Sequence, residues 1–309
     1  MALALYTHRD MLDHAPHPRN PEQPARLAAV RDALAETDLD LEPHEAPLAL
    51  RADLERVHDP VYLDALERVT PRGADLVRID PDTWLSSGSL TAASRAAGAA
   101  IQAVRDVAAG QVERAFCAVR PPGHHAGPDF SMGFCIYSTL ALAARAAQAA
   151  GLARVAVIDF DVHHGNGTQA AFEAAPNQGA GLFFASVHQA PLWPGTGEPH
   201  ADDPAHIVNA ISPPGAPRET WRAAFTRLMT PLDAFAPDLI LISAGFDAHA
   251  RDPLAQQNLE AEDYGWATRA ILEVARTRCG GRVVSSLEGG YDLRALAAST
   301  AAHVAALHG

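Results

Sequence analysis

The chain has 309 residues, 48% of them hydrophobic, and a formal net charge of −13. That apolar content supports a sizeable core and excludes a disordered chain. The acidic balance argues against non-specific nucleic-acid binding, which needs cations against phosphate.

The length fits one α/β domain, residues 1–309, built on a large sheet. Cys117, Cys135 and Cys279 have no paired spacing, so they suit a reducing, cytoplasmic setting better than a disulfide or zinc-finger framework. All 24 basic residues are arginine, which carries no functional weight.

"ALALYT" at 2–7 predicts a strand, and it lacks the basic flank and the length of a secretion signal. Helical spacing follows at 24–36 and 90–109, then a strand "AFCAVR" at 115–120. The Ala-rich helix at 139–150 comes nearest to a membrane span, but Arg145 and Gln148 interrupt it. Further strands are expected at 154–160, 181–187, 238–244 and 282–288, with helices at 219–235, 261–277 and 293–307. These apolar runs do not alternate, so both faces of each strand are covered, as in a parallel or mixed sheet between helical layers. Strand alternating with helix predicts a doubly wound α/β structure. In such a sheet ligands bind at the carboxyl ends of the strands.

The loops after five strands hold nearly all the unusual chemistry: "PPGHHAGPDFSMGF", "DVHHGNGT", "HQAPLWPGTGE", "GFDAHARDPL" and "GGYDL". Asp159, Asp161 and His163 are spaced by two, so in extended chain Asp161 and His163 face one side and Asp159 lies a step deeper. Asp247, at the end of another buried strand, supplies a third donor. Two carboxylates and an imidazole with a position left open suit a catalytic divalent cation, zinc first, with Fe(II), Mn or Co also compatible. The other reading is that these strand-end groups only cap helices or bind one another.

His124 and His125 are adjacent, and neighbours in a loop are expected to point apart. They read either as ligands or as a proton-transfer pair, with Asp159 and Asn166 available as partners. A charged partner behind one imidazole and a neutral one behind the other would separate their pKa values, and with them acid and base roles. Tyr291 follows two glycines and could donate to a developing oxyanion, or simply pack in a turn. Phe134 and Trp193 could line an apolar tunnel or fill loop packing.

"RPPGHHA", "GFCIY", "DFDVHHGNGT", "PGTG", "SAGFDA" with "DPL", and "LEGGYD" occur in one order. Together they resemble the histone deacetylase family, in its class II and bacterial amidohydrolase-like branch, from "HPRNPEQPARL" at 17–27 to the last helix. The resemblance implies an arginase/deacetylase-like single domain with a central, mostly parallel eight-stranded sheet and helices on both faces. It implies that Asp161, His163 and Asp247 bind catalytic Zn2+ (Fe2+ is the alternative). His124 would bond to Asp159. His125 would pair with Asn166 as the main general base and acid, and Tyr291 would polarise the scissile carbonyl. Gly133, Phe134, Trp193 and Leu254 would flank the acyl-lysine channel. A structural K+ would use Asp159, Ser186 and the carbonyls of Asp161 and His163. Arg26 matches the inner-channel arginine.

The implied reaction is hydrolysis of acyl-lysine side chains in a peptide or protein, with a small acyl-amine such as an acetylpolyamine as the alternative substrate and a non-catalytic acyl-amine-binding module as a third reading. No nucleic-acid or membrane partner is expected, and oligomeric state is left open. Two departures stand out. Ser138 replaces the family's usual Asn and is expected to serve as a helix N-cap. Apolar Leu254 stands where polyamine-selective relatives carry an acidic gatekeeper, which favours acyl-lysine. The stretch 70–89 also lacks the long insertion of dimeric acetylpolyamine amidohydrolases. "DAHARD" at 247–252 looks like an arginase manganese motif, but the further Asp clusters that a binuclear site needs are replaced by "HHGNGT" and "EGGYD".

Overall fold

Eight strands join in one sheet, and every pairing in it is parallel. The computed structural model describes residues 2–175, 179–199 and 206–309. In chain order the strands are β1 (Leu3–Thr7), β2 (Leu41–Glu45), β3 (Val77–Arg78), β4 (Trp84–Leu85), β5 (Arg114–Cys117), β6 (Val155–Asp159), β7 (Leu182–Gln189), β8 (Ile207–Ser212), β9 (Leu239–Ala244) and β10 (Val283–Leu287). The sheet order is β2-β1-β5-β10-β9-β6-β7-β8, while β3 and β4 form a separate antiparallel hairpin.

Helices cover both faces. Ser89–Ala108 and Thr139–Ala149 pack together over β1, β5, β6, β9 and β10. Pro24–Ala35, Leu293–His308, Ala261–Cys279 and Arg218–Phe235 make the second layer, each touching the next. Sandwiched between them, β6, β7, β9 and β10 are buried along their whole lengths. This is why their sequences run apolar without alternation.

The six expected helices and the six expected strands are all present, with ends shifted by up to three residues. Two sheet strands were not anticipated, β2 and β8, and both are edges. β2 reads "LEPHE" with three of its five residues exposed, and β8 is half-buried at three of six positions. An edge strand faces water, so its apolar signal is diluted, and polar residues and Pro protect it from pairing with another chain. The short helices Arg51–Leu54, Pro60–Val69 and Asn166–Glu173 also went unanticipated. Ser138 does sit at an N-cap, of Thr139–Ala149, but its side chain makes no capping hydrogen bond, and its buried hydroxyl has no protein partner among the described residues. The N-cap expectation therefore holds for its place and not for its bond. Among the described residues no helix is long and apolar enough to cross a membrane.

Candidate active site

The carboxyl ends of β5, β6, β9 and β10 lie side by side at the centre of the sheet, and their following loops build one polar floor. β6 ends at Asp159, and the chain beyond it turns so that Asp161 N–H donates to Asp159 Oδ1 (3.0 Å) and His163 N–H to Asp161 Oδ1 (3.0 Å). β9 delivers Asp247, whose Oδ1 accepts Val162 N–H at 2.9 Å. Donor atoms of Asp161, His163 and Asp247 all fall within 4.8 Å of one another, and the three residues are buried. His163 Nδ1 lies 3.2 Å from Asp161 Oδ1 and 3.0 Å from Asp247 Oδ2.

Two glycines make this convergence possible. A Cβ at Gly289 would overlap Asp247 and Asp161, and one at Gly245 would overlap Asp161. Gly289 N–H instead donates to Asp161 Oδ2 at 2.8 Å. The group fits a divalent cation by the chemistry of its donors. Burial raises Asp247, and the Asp161 charge adds to this, reaching about 7. Asp161 is held well below the usual carboxylate range, because His124 and His163 outweigh the effect of its burial. Burial alone would lower His163, but the two carboxylates bring it up to about 10. Two buried carboxylates around one imidazole are costly unless a cation stands among them.

The histidine pair does not splay as expected. The rings of His124 and His125 lie 3.9 Å apart between centroids, because each is fastened on the same side of the loop. His124 Nδ1 donates to Asp159 Oδ2 (3.0 Å), and its Nε2 points to Asp161 Oδ2 at 3.8 Å. His125 Nδ1 is 2.7 Å from Asn166 Oδ1, which can only accept, so Nδ1 carries the proton. Nε2 is then the free basic nitrogen. The electrostatics separate the two. Burial would lower His124, but Asp161 and Asp159 bring it up to about 10. Burial lowers His125 well below its ordinary value, and the neighbouring His124 and His163 push it further. With no ion among the carboxylates, the field thus favours a proton on His124 over one on His125.

Above this floor opens a cavity of about 230 Å³ lined by Asp82, His125, Gly133, Phe134, His163, Leu192, Trp193, Leu254 and Tyr291. Phe134 meets the Tyr291 ring edge-on at 5.7 Å, and Trp193 meets His125 edge-on at 4.8 Å. Trp193 is 42% exposed, which places it at the mouth. Gly133 has φ of 57°, and a Cβ there would overlap the His125 ring, so glycine is needed on both counts. Burial pushes the Tyr291 hydroxyl well above its ordinary value, so it is a donor at neutral pH. Ser186 stands beside Asp159 in the sheet register, and its hydroxyl bonds to His188 Nδ1 at 2.9 Å.

A histone deacetylase domain, as the matching family model is described, spans residues 20–307 of this chain. The chain belongs to the histone deacetylase family. As a member it is a hydrolase of the deacetylase and amidohydrolase type. Among curated relatives of this deacetylase is histone deacetylase 10, chloroplastic, of Oryza sativa subsp. japonica, 39% identical with 91% of this chain and 68% of the relative covered. A probable deacetylase of Archaeoglobus fulgidus is 35% identical, covering 95% and 82%. A histone deacetylase-like amidohydrolase of Pseudomonas aeruginosa is 37% identical, covering 90% and 73%. The crystal structure of the HDA15 HD domain superposes with a TM-score of 0.89 at 34% identity, covering 99% of this chain and 91% of that one. The shared fold is the arginase/deacetylase fold.

Several residues of this deacetylase's site escaped sequence reasoning. Asp82 and Leu192 line the cavity. Asp252 Oδ2 accepts Tyr291 N–H (2.7 Å) and its Oδ1 accepts Leu254 N–H (3.0 Å). Arg26, which the sequence did single out, is buried, donates to the carbonyls of Gly290 (2.6 Å) and Glu288 (2.5 Å) and lies 4.9 Å from the Tyr291 ring centre. Glu22 binds Arg26 and Arg120, all three fully buried. The quoted motifs contain Asp252, Glu22 and Arg120, so the signal was present. What the sequence does not carry is that their role is to hold other residues.

Proposed function

We propose that this protein is a zinc-dependent deacylase, with Fe(II) as the alternative ion, that removes acetyl or another short acyl group from acyl-lysine side chains. The observation that carries the reading is His163 Nδ1, which reaches both Asp161 and Asp247 within 3.2 Å beneath a narrow cavity walled by Phe134, Trp193 and Tyr291. Asp161, His163 and Asp247 would hold the ion, which when bound supplies Lewis acidity to an amide carbonyl and acidifies water.

The chain's own groups do the rest. The cavity takes an unbranched chain between Phe134 and Trp193 and keeps bulk water from the amide. Neutral His125 accepts the proton of the attacking water at Nε2. Tyr291 donates its hydroxyl to the oxygen that gains charge. His125 then returns the proton to the leaving amine, while His124, fixed by Asp159, lies beside it. Apolar Leu254 at the wall favours acyl-lysine over a polycation. We further propose a structural K+ on Asp159, Ser186 and the carbonyls of Asp161 and His163, a cytoplasmic setting, and partners limited to acylated peptide or small-amine substrates, with neither nucleic acid nor membrane.

The test is hydrolysis of an acetyl-lysine peptide by the purified protein before and after chelation, with zinc or Fe(II) restored. Chelator-sensitive turnover supports the reading, and its absence overturns it. Faster hydrolysis of acetylspermidine than of the peptide would transfer the substrate to the small amines.

A further inference from the structure

Glu288 follows β10 directly and is 1% exposed, yet the site described above has no task for its side chain. Its carboxylate makes no bond to an arginine among the described residues, since Arg26 binds only its backbone carbonyl. Burial pushes the group up to about 7. A buried carboxyl with no side-chain hydrogen-bond partner is costly, so a compensating role is expected.

That role is visible in the backbone of the histidine loop. Glu288 Oε2 accepts two consecutive N–H groups, from Gly123 at 2.6 Å and from His124 at 3.1 Å. On the other side of the same residue, the His124 carbonyl accepts Gly167 N–H (3.0 Å) and Thr168 N–H (3.1 Å). These donors open the helix Asn166–Glu173, whose first residue holds His125. The His124 peptide is therefore gripped at both ends, by a carboxylate from β10 and by the helix that carries Asn166. Glu288 is itself fixed, because its N–H donates to Ala244 O at 3.0 Å and its carbonyl is held by Arg26. The approach is close: a Cβ on Gly123 would come within 2.7 Å of Thr139 N. No other acceptor for these two N–H groups occurs among the described residues.

We infer that Glu288 is a positioning residue: it fixes the Gly123–His124 backbone so that both imidazoles meet their partners. The inference rests on the hydrolase reading for its kinetic consequence, though not for its geometry. A misplacement of about 1 Å can cost two orders of magnitude in rate. Three variants test it: Glu288→Ala, Glu288→Asp, and Glu288→Gln, whose single carbonyl oxygen can still accept both N–H groups. Backbone hydrogen–deuterium exchange at Gly123 and His124 is measured without substrate, alongside kcat, KM and bound metal.

Expected for Glu288→Ala is exchange at least about tenfold faster and kcat down by about ten- to a hundredfold, with KM and metal content nearly unchanged. Glu288→Gln should keep exchange within about threefold of the unmodified protein, since the accepted bonds survive, and should lose less kcat than Glu288→Ala although its amide nitrogen takes the unpartnered place of Oε1. Should Glu288→Ala fail to fold, Glu288→Asp, one methylene too short to reach both amides, takes its place with the same expectation. The inference is overturned if the shortened variant keeps both exchange and kcat within threefold, or if Glu288→Gln is impaired as badly as Glu288→Ala. Absence of turnover in the unmodified protein counts against the hydrolase reading alone, and the exchange comparison then decides the positioning role.

Discussion

Asp252 accepts the backbone N–H of Tyr291 at 2.7 Å, and the other oxygen of the same carboxylate accepts Leu254 N–H at 3.0 Å. One side chain thus holds the backbone of the proposed oxyanion donor and that of an apolar lining residue of the same cavity together. Asn in its place offers one acceptor for two donors. Asp252→Asn should lower kcat about tenfold, because one buried N–H is left unpaired at a cost of about 1–3 kcal/mol. Asp252→Ala should lose more. Steady-state kinetics on one acyl-lysine peptide check this, and equal kcat in all three proteins would remove Asp252 from the account.

Asp247 sets function against stability. Burial and the Asp161 charge raise it to about 7, so its carboxylate is strained against its neighbour. Asp247→Asn keeps the shape and removes the charge. Metal affinity should fall by about a hundredfold or more, with turnover lost in step. After chelation, however, the variant should unfold at the same temperature as the unmodified protein or higher. Metal analysis and thermal unfolding of both chelated proteins check this. A chelated variant that melts well below the unmodified chain would show that Asp247 is chiefly a structural residue.

Glu22 predicts the acid response of the fold. Burial would raise its carboxyl, but Arg120 and His14 hold it well below the usual carboxylate range. The sign follows from linkage. The folded value lies below the unfolded value of about 4.3, so the stabilisation is complete above that pH and is lost as pH falls towards the folded value. Glu22→Gln should cost about 3–5 kcal/mol at pH 7, the loss typical of a broken buried ion pair. Below pH 4.3 the gap to the unmodified protein should narrow by about 1.4 kcal/mol per pH unit. Urea unfolding of both proteins at pH 7 and pH 3.3 checks this. A gap that stays constant over that range contradicts the assignment.

What could be read from the residues divides along physical lines. The buried centre of the sheet announced itself, because strands covered on both faces must be apolar throughout, as in "VAVIDF" and "LILISA". The site residues were legible for a related reason. Asp161, His163 and Asp247 are polar groups placed directly after such strands, where burial makes them expensive without a task. Edges β2 and β8 were not legible, since water on one side removes the pattern. Nor were Glu288 and Asp252 as supports, because a carboxylate that holds a distant backbone N–H has no spacing signature. The closeness of His124 and His125 also depended on partners 35 and 41 residues away along the chain.

The cavity walls are joined behind the site by two buried glutamines. Gln189 Oε1 accepts Gln256 N–H at 2.9 Å and Gln257 Nε2–H at 3.2 Å, and Gln257 Oε1 accepts the Ser212 hydroxyl at 2.8 Å. Gln189 leads into the loop that carries Trp193, and Gln257 ends the loop that carries Leu254. The amide pair therefore ties together two of the loops that line the cavity without touching the floor. Gln257→Leu removes one of the two hydrogen bonds between these loops and leaves Gln189 Oε1 with the Gln256 N–H alone. Peptide KM should rise by about three- to tenfold, consistent with about 1 kcal/mol of lost wall ordering, while metal content and kcat at saturation change little. Bulkier acyl chains should be accepted better relative to acetyl, because the walls can part. Kinetics across acetyl-, butyryl- and hexanoyl-lysine peptides check this. An unchanged acyl profile with unchanged KM would mean that the walls are held apart by the sheet alone.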